Sequence, residues 1–187
     1  MRHRRRSVTM LAVVLPALAL GACSDSPTNA EWADSVCTSL DAVKSDIAAI
    51  GDGLTLDLSE GALDQVKDQL AEDVTAVRES LEALLDSIEA APANPGAQDL
   101  ETALEGPSND FDAAVQSLTD AATDAADATS LTEFLAAAGT AVSSVASASA
   151  AATAYATTVQ TAASQAVDDV QAAFAEAPAC QDALGTP

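Results

Sequence analysis

Histidine occurs once, at position 3, and positive charge almost vanishes after position 6. Four arginines lie within the first six residues, and thereafter only Lys44, Lys67 and Arg78 are basic. If the first 22 residues are a removable leader, as argued next, residues 23–187 hold three cations against twenty-nine acids. That is a net charge of −26, with no histidine at all. Its absence removes His-based general acid–base catalysis and nearly all zinc, haem and copper ligation. The shortage of cations excludes nucleic acid as a partner, because its phosphates would be repelled. Aromatic residues are also scarce, at 3%, and the hydrophobic content of 49% includes 45 alanines. No long stretch alternates with period two, which argues against a sheet. Alanine favours helices and loses no side-chain entropy in them, so the expected class is all-α, stabilised by close helix–helix approach. Gly-rich phosphate loops, a nucleophile elbow and CxxC pairs are missing as well. No enzyme and no cofactor is therefore expected.

What is present begins with a leader. Met1–Arg6 is a positive segment, and Met10–Leu20 is an apolar one too short to span a bilayer. It ends in Leu20-Gly21-Ala22-Cys23, which resembles the lipobox of bacterial lipoproteins. The resemblance implies cleavage before Cys23, lipidation of its thiol, and export to the outer face of the cell membrane. Arg5-Arg6 hints at twin-arginine export, but the following residues fit that pattern poorly and the route stays open. Acyl chains matter here because so acidic a surface is repelled by anionic headgroups, so anchoring would rest on Cys23 alone. The expected division is a signal peptide over 1–22, a lipidated tether over 23–28, a helical bundle over 29–181 and a tail over 182–187.

Four helices follow from capping and periodicity. Thr28-Asn29-Ala30-Glu31 reads as a capping box, followed by an apolar stripe of Trp32, Val36, Leu40, Val43, Ile47 and Ile50, with Gly51-Asp52-Gly53 as the stop. A second helix should start at Asp57-Leu58-Ser59-Glu60 and bury Leu63, Val66, Leu70, Val74, Val77, Leu81, Leu84 and Ile88. A third carries Leu100 and Leu104, is expected to break at Gly106-Pro107, and resumes with Phe111, Val115, Leu118, Ala122 and Ala125. Ser130-Leu131-Thr132-Glu133 opens the fourth, whose expected stripe is Leu135, Ala138, Val142, Val145, Ser149, Ala152, Ala156, Val159, Ala163, Ala166, Val170 and Ala173. At roughly 47 residues it would be about 70 Å long, so a bend or overhang near Gly139 is expected. Phe134–Val167 holds no charged residue. Ser and Thr interrupt that segment too often for a membrane span, so it reads as a buried helix or a contact surface.

Cys37 and Cys180 form an even pair in a chain expected to be exported, which predicts a disulfide. In an up-down antiparallel four-helix bundle the end of the last helix returns beside the start of the first, which fits that pairing. Closing the loop would stabilise the fold by roughly 5 kcal/mol in the chain-entropy description. The lipobox, Trp32-Ala33-Asp34-Ser35-Val36-Cys37 and Ala177-Pro178-Ala179-Cys180 together resemble the small secreted lipoproteins of actinobacteria. Those are Ala/Asp/Thr-rich helical proteins largely without assigned activity, so the resemblance implies no catalytic residues.

Acids are the remaining candidates for chemistry. Asp120, Asp124 and Asp127 share one helical face, but the spacing of an EF-hand is absent and no metal site is expected. Lys44 and Lys67 sit near Asp41 and Asp64 and read as surface ion pairs. Trp32 starts an apolar stripe and reads as core. The expected function is a membrane-anchored binding or scaffold module of the cell envelope, with an envelope protein as partner. The alternative is a carrier holding a small apolar ligand or lipid between its helices. The uncharged flank of the fourth helix and the loops far from the tether are the expected working surfaces.

Overall fold

The computed structural model describes residues 27–53 and 62–184. Cys23, the leader and the expected start of the second helix at Asp57–Glu60 lie outside them. The described residues form helices only: α1 (Asn29–Gly53), α2 (Ala62–Glu89), α3 (Pro95–Asp127), α4 (Leu131–Gln165), α5 (Asp168–Glu176) and α6 (Pro178–Ala183). The first four form an up-down antiparallel bundle in which α1 packs on α2, α2 on α3, α3 on α4, and α4 back on α1. After α4 the chain reverses, and α5 and α6 run back along α1.

Local signals set the helix starts. Thr28 Oγ1 accepts from the Glu31 amide while the Glu31 carboxylate accepts from the Thr28 amide, the reciprocal box expected there. Ser130 and Glu133 do the same at α4. Asn94 caps α3 through the Ala97 amide, with Pro95 in the first turn, where its missing N–H costs nothing. The apolar stripes of α1 and α3 are buried throughout, as are Leu70 to Ile88 of α2. Trp32 is buried, its indole N–H donating to the Ser87 carbonyl at 2.8 Å and its ring meeting Phe174 edge-on at 5.6 Å.

Three local expectations are corrected. First, α1 takes in Gly51 and Asp52 and ends at Gly53, within the expected stop rather than before it. Second, α3 does not break at Gly106-Pro107; it is one helix of 33 residues with Pro107 inside. Proline withholds one hydrogen bond from the Ala103 carbonyl, but Ala103 is exposed to solvent, which can replace it. Leu100 and Leu104 before the proline, and Phe111 and Val115 after it, are buried on one continuous face, and that packing outweighs the local cost.

Third, the long C-terminal helix is α4, but it ends at Gln165 after 35 residues and passes Gly139 without interruption. At 1.5 Å per residue it spans about 52 Å, close to the roughly 50 Å of α3. A helix of about 70 Å would leave its last turns beyond the bundle with Val170, Ala173 and Phe174 in water. The reversal at Ala166-Val167 buries all three instead. Gly96 gives it room, because a methyl group there would press on a Val167 methyl and crowd Val170, so that the Val167 side chain would have to shift.

The reversal also places Cys180 beside Cys37. They form a disulfide with a Cα–Cα separation of 4.9 Å, both cysteines fully buried, across 143 residues of sequence. The all-α class, the bundle and this bridge are thus as the sequence indicated.

One buried group is poorly served. Tyr155 lies inside the α3/α4 contact, 6.1 Å from Phe111 between ring centroids, and its hydroxyl has the Ser108 hydroxyl nearby but makes no well-formed hydrogen bond among the described residues. Burial pushes its phenol well above the usual tyrosine range, the Ser108 hydroxyl only partly opposing the shift. Unfolded tyrosine ionises near pH 10 while the folded phenol stays protonated. The stability tied to this group is therefore complete below pH 10 and falls as pH rises above it. Tyr155→Phe should leave stability at pH 7 unchanged or raise it by up to about 1 kcal/mol. Denaturant titrations at pH 7 and pH 11 should also show a shallower alkaline loss in the variant.

Candidate functional site

The features able to meet another molecule are the acidic faces, the three cations and the uncharged length of α4. The two lysines are committed to the fold. Lys44 Nζ donates to the Ala183 carbonyl at 2.8 Å, and Lys67 Nζ to the Ala126 and Ala128 carbonyls at 3.2 and 2.6 Å. Each therefore sits at the C-terminus of a helix, α6 and α3, where carbonyls lack intrahelical partners and the dipole is negative. The expected pairing of these lysines with Asp41 and Asp64 gives way to this stronger demand. At the end of α3 the need is acute, because Asp120, Asp124 and Asp127 crowd the same negative pole. Arg78 lines a shallow groove between α2 and α3 beside Glu82 and Asp112.

Asp120, Asp124 and Asp127 are all exposed on α3, as their spacing implied. Asp124 and Asp127 border an open groove of about 560 Å³ with Thr129, Glu133 and Thr140. The Glu133 carboxylate is already occupied, accepting from the Thr129 amide and hydroxyl and from the Ser130 amide. Those bonds hold its carboxyl below the ordinary value, the Thr129 hydroxyl contributing most. Among the described residues no three His, Cys, Asp or Glu side chains converge to hold a metal ion.

The uncharged length of α4 is different, because much of it faces solvent. The helix is long and apolar enough to cross a membrane by composition, yet only 22% of its most apolar window is buried in the bundle. Its partner α3 carries eight carboxylates on the faces turned away from their contact, a poor neighbour for a span in a bilayer interior. The solvent side of α4 is less polar than its Ser and Thr content suggests. Thr140, Ser143, Ser147, Thr153, Thr157 and Thr161 each donate to the carbonyl four residues back. Their donors are thereby satisfied inside the helix, leaving methyl and methylene groups outermost.

The buried side of α4 corrects the expected stripe. Ala138, Ala152, Ala156, Val159 and Ala163 are buried and Val145 is packed against the core, as expected. Leu135, Val142 and Ser149 face out, and their places are taken by Phe134, Ala141 and Ala148, one residue earlier. Two series of period seven lie side by side: Phe134-Ala141-Ala148-Tyr155 and Leu135-Val142-Ser149-Ala156. The first wins over most of its length because two aromatic rings bury far more surface than a Leu and a Val. Its two alanines also let α3 and α4 approach closely. The rings at positions 134 and 155, exactly three heptads apart, were the available signal for this choice.

As a result Leu131, Leu135 and Val142 stand 49%, 41% and 53% exposed on one flank of α4. Helical spacing puts them on the α1 side, away from Glu133. Toward the Asn29 end that flank is covered by α5, which with α4 and Leu184 leaves a mostly apolar groove of about 220 Å³ over Phe174 and Ala163. Beyond it no other described residue covers the flank.

Comparison of the chain with protein-family models, curated proteins and solved structures gives no match. Replacing Lys67 by Met keeps the aliphatic stem and deletes the donor to the end of α3. Thermal or urea unfolding should show a loss of about 1–2 kcal/mol, and Lys44→Met a comparable one.

Proposed function

We propose that this chain is an exported lipoprotein of the small actinobacterial kind, held on the outer face of the cell membrane by acyl chains on Cys23. Its acidic bundle acts as a binding or scaffold module, with the open flank of α4 as its working surface. The observation that carries this reading is the buried Cys37–Cys180 disulfide. Such bonds persist in oxidising compartments, to which a leader ending in a lipobox would deliver the chain. Helix α1 begins at Asn29, six residues after Cys23, so a lipidated Cys23 would fix the bundle at its Asn29 end. The open part of the α4 flank then points away from the membrane. Acidity supports acylation as the means of attachment, because anionic headgroups would otherwise repel the domain.

The alternative, a carrier of an apolar ligand, draws on the groove between α4 and α5. At about 220 Å³ and open to solvent, it is smaller than the roughly 300–1,000 Å³ of typical small-molecule sites. The binding-module reading is therefore preferred.

Replacing Cys23 by Ser should move the protein from the membrane fraction to the soluble fraction of fractionated cells. Full membrane retention of that variant would end the anchoring proposal. Mass spectrometry of the native protein should find an N-terminal cysteine carrying acyl groups.

A further inference from the structure

Residues 166–184 differ in kind from the body on which they lie. The four long helices close a ring of contacts without them, α4 packing back on α1. The segment holds two short helices, α5 of nine residues and α6 of six, and neither start has a side-chain cap. Helices shorter than about twelve residues are marginal alone, so these two depend on what they rest against. Their buried side chains are Val170, Ala173, Phe174, Ala177, Cys180 and Ala183, half of them alanine. An alanine buries one methyl group, while every residue of the segment must be ordered. Three anchors hold it to α1: Phe174 against Trp32, the bond from Cys180 to Cys37, and Lys44 Nζ donating to the Ala183 carbonyl.

We infer that residues 166–184 are a strap latched by the Cys37–Cys180 bond, which opens as one unit when that bond is reduced while α1–α4 stay folded. Loop length carries the argument. Against unfolding of the whole chain the bond closes a loop of 143 residues. With the bundle folded, Cys37 and Gln165 are both held in place. The bond then closes only the stretch from Gln165 to Cys180, about fifteen residues, and acts on the strap alone. The rest of the core has its own support, because Val74 to Leu84 of α2 and Phe111 to Leu118 of α3 pack among the long helices. Such a division into units of unequal stability is the ordinary behaviour of folded chains. The inference goes beyond the binding-module reading and does not depend on Cys23.

The chemistry is thiol–disulfide exchange with a dithiol. One thiolate of the reductant attacks a cysteine sulfur, forming a mixed disulfide and displacing the other cysteine as a thiolate. The second thiolate of the reductant then displaces the remaining cysteine. Cys37 and Cys180 end as thiols holding the two protons, and the reductant ends as a disulfide, having supplied two electrons. Cys37 and Cys180 are 0% and 1% exposed, so the reductant reaches them only as the strap lifts. What the open strap uncovers is the Trp32 face of α1, with the side of Ala163 that borders Phe174 on α4. The reduced chain therefore shows an apolar face that the oxidised chain hides.

The test uses the protein carrying Cys23→Ser, which removes the one thiol outside the pair. Oxidised protein is compared with protein reduced by dithiothreitol in urea and returned to buffer with the reductant present. In hydrogen–deuterium exchange the amides of 170–184 should lose protection at least about a hundredfold on reduction, the scale set by a loop of about fifteen residues. Amides from Val74 to Leu84 and from Phe111 to Leu118 should remain protected. Trp32, the one tryptophan, should shift its emission to longer wavelength and become accessible to acrylamide. The double variant Cys37→Ser/Cys180→Ser, which cannot form the bond, should behave as the reduced protein does. Strap amides that stay protected after reduction would overturn the inference, because the bond would then not be the latch. Loss of protection in α2 and α3 together with the strap would overturn it too, because the bond would then hold the bundle as a whole. If the buried serines unfold the variant, the reduced protein decides between these outcomes.

Discussion

Burial of five aromatic side chains sets the helix positions in a chain whose other apolar residues are largely alanine. Trp32, Phe111, Phe134, Tyr155 and Phe174 are all inside. Trp32 and Phe174 join α1 to α5, and Phe111 and Tyr155 join α3 to α4. Alanine contributes little area per residue but lets helices come close, so each ring has a disproportionate share of the transfer free energy. That share decides the rotation of α4, tolerates a proline within α3, and leaves a tyrosine hydroxyl without a well-formed hydrogen bond. The disulfide acts on the same weakness from the other direction, by limiting the unfolded chain.

Charge is the second constraint. Of the three cations beyond the leader, two serve helix ends and Arg78 lies exposed beside acids. Both lysines close helix C-termini, and one of them serves the helix end where three aspartates gather. The acidic boxes at Thr28–Glu31 and Ser130–Glu133 place carboxylates at the opposite, positive poles. The bundle thus tolerates its acidity by matching charge to helix ends, and the one long surface free of carboxylates is the solvent side of α4.

This arrangement joins structure to proposed role. Under the proposed lipid anchoring at Cys23, a bundle of about 50 Å would hold the apolar strip of its outer half away from the membrane. Among the described residues the grooves are shallow, and no three acids converge.

The sequence by itself determined the helical class, the capping boxes at Thr28 and Ser130, the stripes of α1 and α3, that of α2 from Leu70 to Ile88, and the pairing of Cys37 with Cys180. Each depends on near neighbours in the chain or, for the disulfide, on a topology with few alternatives. Three things were decided only by tertiary structure. Pro107 stays helical because apolar residues on both sides of it find the same groove. The chain reverses at Val167 because a straight helix would leave Val170 and Phe174 beyond the bundle, and Gly96 gives the turn room. The exposed strip exists because two heptad series compete in α4 and the aromatic one is drawn inward by Phe111. Periodicity fixes how often a helix presents apolar residues. Which of two adjacent series turns inward depends on what stands across from it, and that is a property of the packed bundle alone.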